Sequence, residues 1–360
     1  TLDPHQFQAF DRALIPPPLP TWEVSLKVLF YVFSFLVDIV GNSIVVLIIV
    51  LNKKMRTTTN CLLLNLAISD LMVGIFCMWV HLGNQITSEW PFGQFVCKVN
   101  TFIQVMSVTA SVLTLTVISI ERFLAIVFPL KAKMSKLAAG IAMATTWILS
   151  AGVASPHLVV RNQYEYFWAN SHEIQCDEVW PMVYVDTQCN SHTPGKTIYY
   201  TVEGVIMYFI PIAIMLTAYS LIVIKMVIRK VPGMRMGSTA FVQDRCKRKV
   251  VRMLVIVMIV FIVCWTPQQV ILLWDIYRER NVKSPEYVKT VKYVALYFAY
   301  SNSALNPILY GGFNENFRRG FREAFRCHLW RKRNAVFNIS SVQAGSGTTR
   351  CVRDGSHPAS

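Results

Sequence analysis

"SNSALNPILYGGFNENFRRGF", residues 301–321, closes a largely apolar run and then turns abruptly into a stretch punctuated by arginine. Ser301, Asn302, Ser303, Asn306 and Pro307 sit in a segment greasy enough to enter a membrane, and Arg318 and Arg319 follow soon after. Polar groups in a hydrocarbon core are costly, so they point to function or to packing against other protein. The rest of the chain must therefore supply a bundle for this segment to join.

Composition makes the same demand. Of 360 residues, 54% are hydrophobic and 15% charged, with a mean hydropathy of +0.41, which places the chain in the membrane class. Crossing a bilayer core takes roughly 20 residues. Seven stretches qualify: 25–51, 59–82, 97–128, 138–159, 198–228, 250–276 and 288–311. The expected fold is an all-α membrane protein, a seven-transmembrane helix bundle forming one domain over 24–312. A polar, proline-rich segment, 1–23, containing "IPPPLP", precedes it. No signal peptide is visible, so either the first span is itself the targeting signal or the numbering begins inside a longer chain.

The net charge of +15 could indicate nucleic acid, but its placement argues for topology instead. Lys53, Lys54 and Arg56 follow the first span; Lys131, Lys133 and Lys136 follow the third. Nine Lys/Arg lie between Lys225 and Arg252 and seven between Arg318 and Arg333, so 22 of the 35 basic residues occupy alternate connections and the tail. The positive-inside rule makes these segments cytoplasmic and places the N-terminus outside. Anionic lipid and acidic partner surfaces are secondary attractions.

That layout sorts the nine cysteines. Cys97, at the outer start of span three, and Cys176, between spans four and five, face the oxidising side and can form a disulfide. Cys189 shares that loop and has no obvious partner. Cys61, Cys77 and Cys264 read as packed thiols within spans; Cys246, Cys327 and Cys351 read as cytoplasmic and reduced. Nothing catalytic emerges: the histidines at 5, 81, 157, 172, 192, 328 and 357 are scattered, no Cys/His metal spacing occurs, and no glycine-rich phosphate loop follows a strand.

The polar residues within spans fall at Asn42, Asp70, Ser111, Glu121, Arg122, Trp147, Glu203, Tyr219, the "CWTPQQ" of span six, and Asn302, Ser303, Asn306 and Tyr310 of span seven. In this order they resemble the rhodopsin-like (class A) G-protein-coupled receptors over nearly the whole chain. The matching residues are Gly41-Asn42, "LAISD" ending at Asp70, Cys97 with Cys176, Glu121-Arg122-Phe123 in place of the usual Asp-Arg-Tyr, Trp147, Pro211 with Tyr219, Cys264-Trp265-Thr266-Pro267 and Asn306-Pro307-Ile308-Leu309-Tyr310. A seven-span transporter would more often show repeated halves and broken midplane helices, and no such repeat is visible.

The resemblance implies a switch between two bundle arrangements, one favoured by an outer ligand and one by an inner G protein. Pro267 and Pro307 would bend spans six and seven, and Trp265 would sense the ligand. Asp70, Ser111, Asn302 and Asn306 would meet in the middle of the bundle, either as a hydrogen-bonded core or around an allosteric sodium ion. Arg122 would pair with Glu121 at rest and reach the G protein, Tyr219 and Tyr310 when active. Lys247 stands where some relatives place an acidic residue, which implies a weaker resting restraint and some basal activity.

Within this frame, Gln104 replaces the aspartate of amine receptors and Tyr300 the retinal-binding lysine of opsins. Gln104 is typical of receptors for amidated peptides. "NLAISDLMVGIFCM", "WPFGQFVCK", "DEVWP", "KTIYYT" and "GFNENFRRGFREAF" are similar to receptors of the neuropeptide FF, SIFamide and RFamide type. Orexin-like or trissin-like ligands are the alternative. Trp79 departs from the usual proline, and Gln268-Gln269 from the usual aromatic or apolar residues. Asp177, Glu178, Glu203 and Asp275 would attract a ligand arginine, each well-made charge-assisted bond contributing about 1–3 kcal/mol.

The tail completes the reading. Phe313, Phe317, Phe321 and Phe325 recur every four residues, with Arg318, Arg319, Arg322 and Arg326 on the other sides. Residues 313–330 are therefore expected to form a short amphipathic eighth helix on membrane lipid. Cys327 is a candidate for palmitoylation. Within the disordered cytoplasmic tail expected over 331–360, Ser340, Ser341, Ser346, Thr348 and Thr349 are candidate phosphate acceptors for arrestin recruitment.

Overall fold

The computed structural model describes residues 19–128, 134–168, 172–184, 191–228, 238–278, 287–313, 315 and 317–322, the side chains of Lys54, Tyr184, Ser191, His192 and 238–247 excepted. The segment 1–18, Lys131, Lys133, Cys189, Phe325, Arg326, Cys327, the tail and the side chain of Lys247 lie outside the described residues.

Among the described residues, six helices are long and apolar enough to cross a membrane: α1 (Thr21–Leu51), α2 (Thr58–Ile86), α3 (Gly93–Val127), α4 (Lys136–Val160), α5 (Pro194–Ile228), and the Arg248–Tyr277 part of α6, which as a whole runs Ser238–Tyr277. The seventh, α7 (Tyr287–Phe313), has 27 residues. It is more polar because it carries the Ser-Asn-Ser and Asn-Pro residues of the decisive stretch, and these face inward: Asn302, Ser303 and Asn306 are buried. The seven expected spans are thus found, several extended by a turn at one or both ends.

The distribution of side chains is that of a protein dissolved in lipid. Leu29, Phe33, Leu36, Ile148, Val227 and Val263 are exposed, whereas Asp38, Asn42, Asp70 and Asn306 are buried. The starts of α2 and α4 are set by local capping: the Thr57 hydroxyl accepts from the Asn60 amide at 3.3 Å, and that of Ser135 from the Ala138 amide at 3.1 Å. Such caps satisfy amides that the first turn leaves free.

α3 is the centre of the bundle, packing against α2, α4 and α5, while α7 packs against α6 and α1. The main core includes Leu62, Leu66, Ile118, Ile222, Val257 and Tyr310. A second cluster gathers Tyr31, Cys77, Met78, Ile103 and Tyr300. Wide π-helical turns interrupt α2 at Gly74–Met78 and α5 at Val202–Phe209; the sequence pattern did not announce either.

Between α4 and α5 the chain forms an antiparallel hairpin, β1 (Arg161–Phe167) against β2 (His172–Glu178), with Gln163 opposite Cys176. A second small pairing joins β3 (Val183–Tyr184) to β4 (Ser191–His192). The Cys97–Cys176 disulfide, with Cα atoms 5.7 Å apart, pins the hairpin to the top of α3. The Trp90 amide adds a bond to the Ile174 carbonyl at 2.8 Å.

α1 and α7 approach closely at Gly41, where a Cβ would lie 2.7 Å from Pro307 Cβ. Only a residue without a side chain fits. Gly41→Ala is expected to cost about 1–3 kcal/mol by overpacking and to lower the melting temperature of the detergent-solubilised protein. Gly140→Ala, where nothing lies within 4 Å, is the control and should not lower it; equal melting of the two variants would refute the close packing.

Candidate functional site

Three polar regions lie along the bundle. In the middle, Asn306 Nδ2 donates to Asp70 Oδ2 at 2.8 Å, and Ser303 also hydrogen-bonds Asp70. Asn42 Nδ2 donates to the Ser303 carbonyl at 3.1 Å and to Asp38 Oδ1 at 2.6 Å. The structure therefore joins Asp70 and Asn306. Asn302 and Ser111 are buried, but the direct bond to Asp70 comes from Ser303, and a second buried carboxylate, Asp38, stands alongside. Beside this region, Asn65 links three helices, donating to Thr114 Oγ1 at 2.8 Å and accepting from Trp147 Nε1 at 2.8 Å.

At the outer end the four acidic residues have different fates. Glu178 Oε2 accepts from the Tyr200 hydroxyl at 2.6 Å and faces Arg161 at 3.3 Å. Its other oxygen meets Trp180 Nε1 and Lys196, at 3.7 Å. Asp177 accepts from the Tyr166 hydroxyl at 2.9 Å. Asp275 is bridged to Lys292 and, at 3.4 Å, to Arg278. Glu203 Oε2 and Asp275 Oδ1 are both buried with no hydrogen-bond partner in the protein; Asp275 Oδ1 nevertheless faces a cation, Arg278, whereas Glu203 lies within electrostatic reach of a second carboxylate, Glu178.

Gln104 is half-buried on α3. Trp265 is buried and stacks on Phe261, ring centres 6.2 Å apart. Tyr300 is buried between Tyr31, at 6.4 Å, and His81, at 5.3 Å. Gln268 and Gln269 each keep one buried amide oxygen without a protein partner. Gln268 and Asp275 line a cavity of about 420 Å³ between α6 and α7, with Lys289, Lys292 and Tyr293. A cavity of about 640 Å³ lies farther out, under the hairpin beside Trp90, Gln163 and Ile174, away from the expected ligand residues. Neither cavity unites Gln104 and Glu203 with the α6–α7 mouth.

At the inner end, Glu121 receives both Nε and Nη2 of Arg122, and Thr59 Oγ1 donates to it at 3.3 Å. Tyr219 is buried within electrostatic reach of both members of this pair. Below α7, residues 315 and 317–322 are helical. Phe317 is fully buried against Tyr310, ring centres 5.8 Å apart, and Phe321 packs on the same core. Two residues of the aromatic stripe expected to rest on lipid, Phe317 and Phe321, instead pack against the base of the bundle. Lys249 pairs with Glu315 at 2.5 Å, both about half exposed, which ties α6 to this segment.

Seven helices with this order of buried polar residues agree with the sequence comparisons. Residues 41–310 match the family described as 7 transmembrane receptor (rhodopsin family). The chain belongs to the rhodopsin family of seven-transmembrane receptors. It is 35% identical over 317 residues to a QRFP-like peptide receptor of Branchiostoma floridae, covering 87% of this chain and 80% of that one. Identity to neuropeptide FF receptor 2 of Mus musculus is 33%, covering 87% and 78%. For neuropeptide FF receptor 1 of Homo sapiens it is 35%, covering 83% and 70%. The receptor is accordingly a multi-pass membrane protein.

Sequence reasoning passed over Asp38, Asn65 and the Arg161–Glu178–Lys196 network of this receptor. Asp38 was legible, being a carboxylate four residues before Asn42 within a span. The network was not, because its members are brought together only by the hairpin.

Burial alone would raise the Glu178 carboxyl, but Lys196, Tyr200, Arg161 and Trp180 together hold it below its ordinary value. A carboxyl depressed on folding contributes stability that is present above the unfolded value, about 4.3, and is lost as pH falls through the folded value. Thermal unfolding of the solubilised receptor from pH 7 downward should therefore show an acid-side loss of stability that Glu178→Gln reduces. An acid limb identical in the variant would count against the network.

Proposed function

We propose that the chain is a plasma-membrane receptor, N-terminus outside, for a C-terminally amidated, RFamide-like neuropeptide, and that it signals through heterotrimeric G proteins. The observation that carries this reading is the unpartnered carboxylate oxygen of Glu203, held in the outer bundle of a chain whose relatives are named neuropeptide FF and QRFP-like peptide receptors. A buried carboxylate oxygen without a donor favours an incoming cation, and a ligand guanidinium supplies one with two parallel donors.

In this reading Gln104 hydrogen-bonds the terminal carboxamide, and Glu203 pairs with the ligand arginine. Trp265, Gln268, Gln269 and Tyr300 bound the deeper pocket. Asp177, Glu178 and Asp275 form its mouth. Glu178 and Asp275 already hold cations of the chain itself, so a ligand must exchange partners there, which makes Glu203 the stronger anchor.

Ligand pressure on Trp265 moves α6 at Pro267 and α7 at Pro307. Arg122 then leaves Glu121 for the G protein, with Tyr219 and Tyr310 lining its new position. The interior polar cluster of Asp70, Ser111, Asn302 and Asn306 holds a sodium ion in the resting arrangement; oxygen donors of this kind suit a hard cation. Residues 24–312 form the bundle and 313–330 the membrane-surface helix, with Cys327 as its palmitoylation site and 331–360 as the arrestin-recruiting tail.

Cells expressing the chain are expected to give calcium or cyclic-AMP responses to peptides ending in Arg-Phe-amide, and weaker responses to the corresponding free acids. Glu203→Gln and Gln104→Ala, at matched surface expression, should raise the half-maximal concentration about tenfold or more, as loss of one charge-assisted or buried hydrogen bond requires. Responses undiminished in both variants would overturn this pocket.

A further inference from the structure

Asp38 is a buried acid that the proposed function leaves unused. It is 0% exposed, on the inward face of α1, so it is not a lipid-facing charge reaching for the membrane surface. One oxygen, Oδ1, is held by Asn42 Nδ2 at 2.6 Å; the other, Oδ2, has no protein hydrogen-bond partner. Oδ2 points at α2, where it is the atom a Cβ on Gly74 would strike. Gly74 lies four residues from Asp70, on the same face of that helix, and Asp38 and Asp70 are near enough to interact electrostatically.

The two acids belong to one contiguous cluster, because Asn42 bonds both Asp38 and the Ser303 carbonyl, while Ser303 and Asn306 bond Asp70. Around them the amide oxygens Oδ1 of Asn42, Asn302 and Asn306 are likewise buried without protein partners. Among the described buried residues of this cluster there is no Lys, Arg or His. The set is therefore two carboxylates and several neutral, uncommitted oxygens. Monovalent sodium answers one of those charges. Calcium-class ions answer both, and they take six to eight oxygens in flexible geometry, with affinity set by the number of charged ligands, whereas magnesium demands a stricter octahedron and sheds water reluctantly.

Resting on the interior cation site of the proposed function, we propose that Asp38 and Asp70 together form a doubly acidic site for one divalent cation of the calcium class, with Asn42, Asn302 and Asn306 as neutral oxygen donors. Gly74 is glycine because the Asp38 carboxylate occupies the space of its side chain. Bound there, the ion ties α1, α2 and α7 together, so its occupancy favours one arrangement of the bundle.

The test uses the purified full chain in detergent, with radiolabelled calcium binding and thermal unfolding in calcium, sodium or choline chloride at constant ionic strength. Saturable binding of one calcium per chain is expected, with a matching rise in melting temperature. Asp38→Asn should weaken calcium binding about tenfold or more, as loss of a charged ligand does, while sodium still stabilises through Asp70. Gly74→Ala, which keeps every charge but displaces Oδ2, should weaken calcium in the same way; it decides the matter if Asp38→Asn does not fold. Stabilisation by sodium without calcium binding, or calcium binding unchanged in both variants, would overturn the proposal and leave the sodium reading standing. A response to neither ion would overturn both.

Discussion

A bilayer offers a buried polar group no partner except the protein itself, and in this receptor that constraint produces the hydrogen-bonded series Asp38–Asn42–Ser303–Asp70–Asn306. Its members come from α1, α2 and α7, so satisfying them fixes how those helices meet. Among apolar side chains surrounded by lipid tails of equal greasiness, packing alone discriminates weakly between helix rotations. A rotated α1 would present Asp38 to hydrocarbon, and the polar series thus supplies register. Gly41 permits it by letting α1 come against Pro307. Asn65 does the same for the other half of the bundle, joining α2 to Thr114 and Trp147.

This explains why so much of the fold was legible in the sequence. Spans are readable because bilayer thickness sets their length, and inward faces are readable because polar residues are admitted almost nowhere else. The decisive stretch at 301–321 carried both signals, with Asn302, Ser303 and Asn306 turned inward and the arginines beginning where α7 ends.

What stayed hidden depends on distant parts of the chain meeting. The outer hairpin has no long apolar pattern, and its place is set by the Cys97–Cys176 disulfide and by Trp90. Glu178 looks in the sequence like a solvated loop charge beside Asp177, yet the hairpin carries it to Arg161, Lys196 and Tyr200. Phe317 reads as a membrane-surface aromatic because its spacing on an amphipathic helix says nothing about Tyr310 above it. Local pattern reports which face is apolar; it does not report whether lipid or protein covers that face.

The same contacts bear on how the bundle moves. The Glu121–Arg122 pair joins adjacent residues of α3, reinforced by Thr59 of α2, and so restrains the arginine without gripping α6. α6 is tied elsewhere: to α7 at the outer end through Asp275 and Lys292, and to the segment below α7 at the inner end through Lys249 and Glu315. The inner half of α5 touches α6 sparsely, with Arg248 reaching the Met226 carbonyl at 3.1 Å. Exposed pairs such as Lys249–Glu315 contribute on the order of 0–1 kcal/mol, little enough for a partner to break. α6 is therefore held mainly by α7 and swings most cheaply at its inner end. In the proposed switch, the two prolines of these helices, Pro267 and Pro307, would serve as paired hinges, coupled by the Asp275–Lys292 ion pair at the outer ends of α6 and α7.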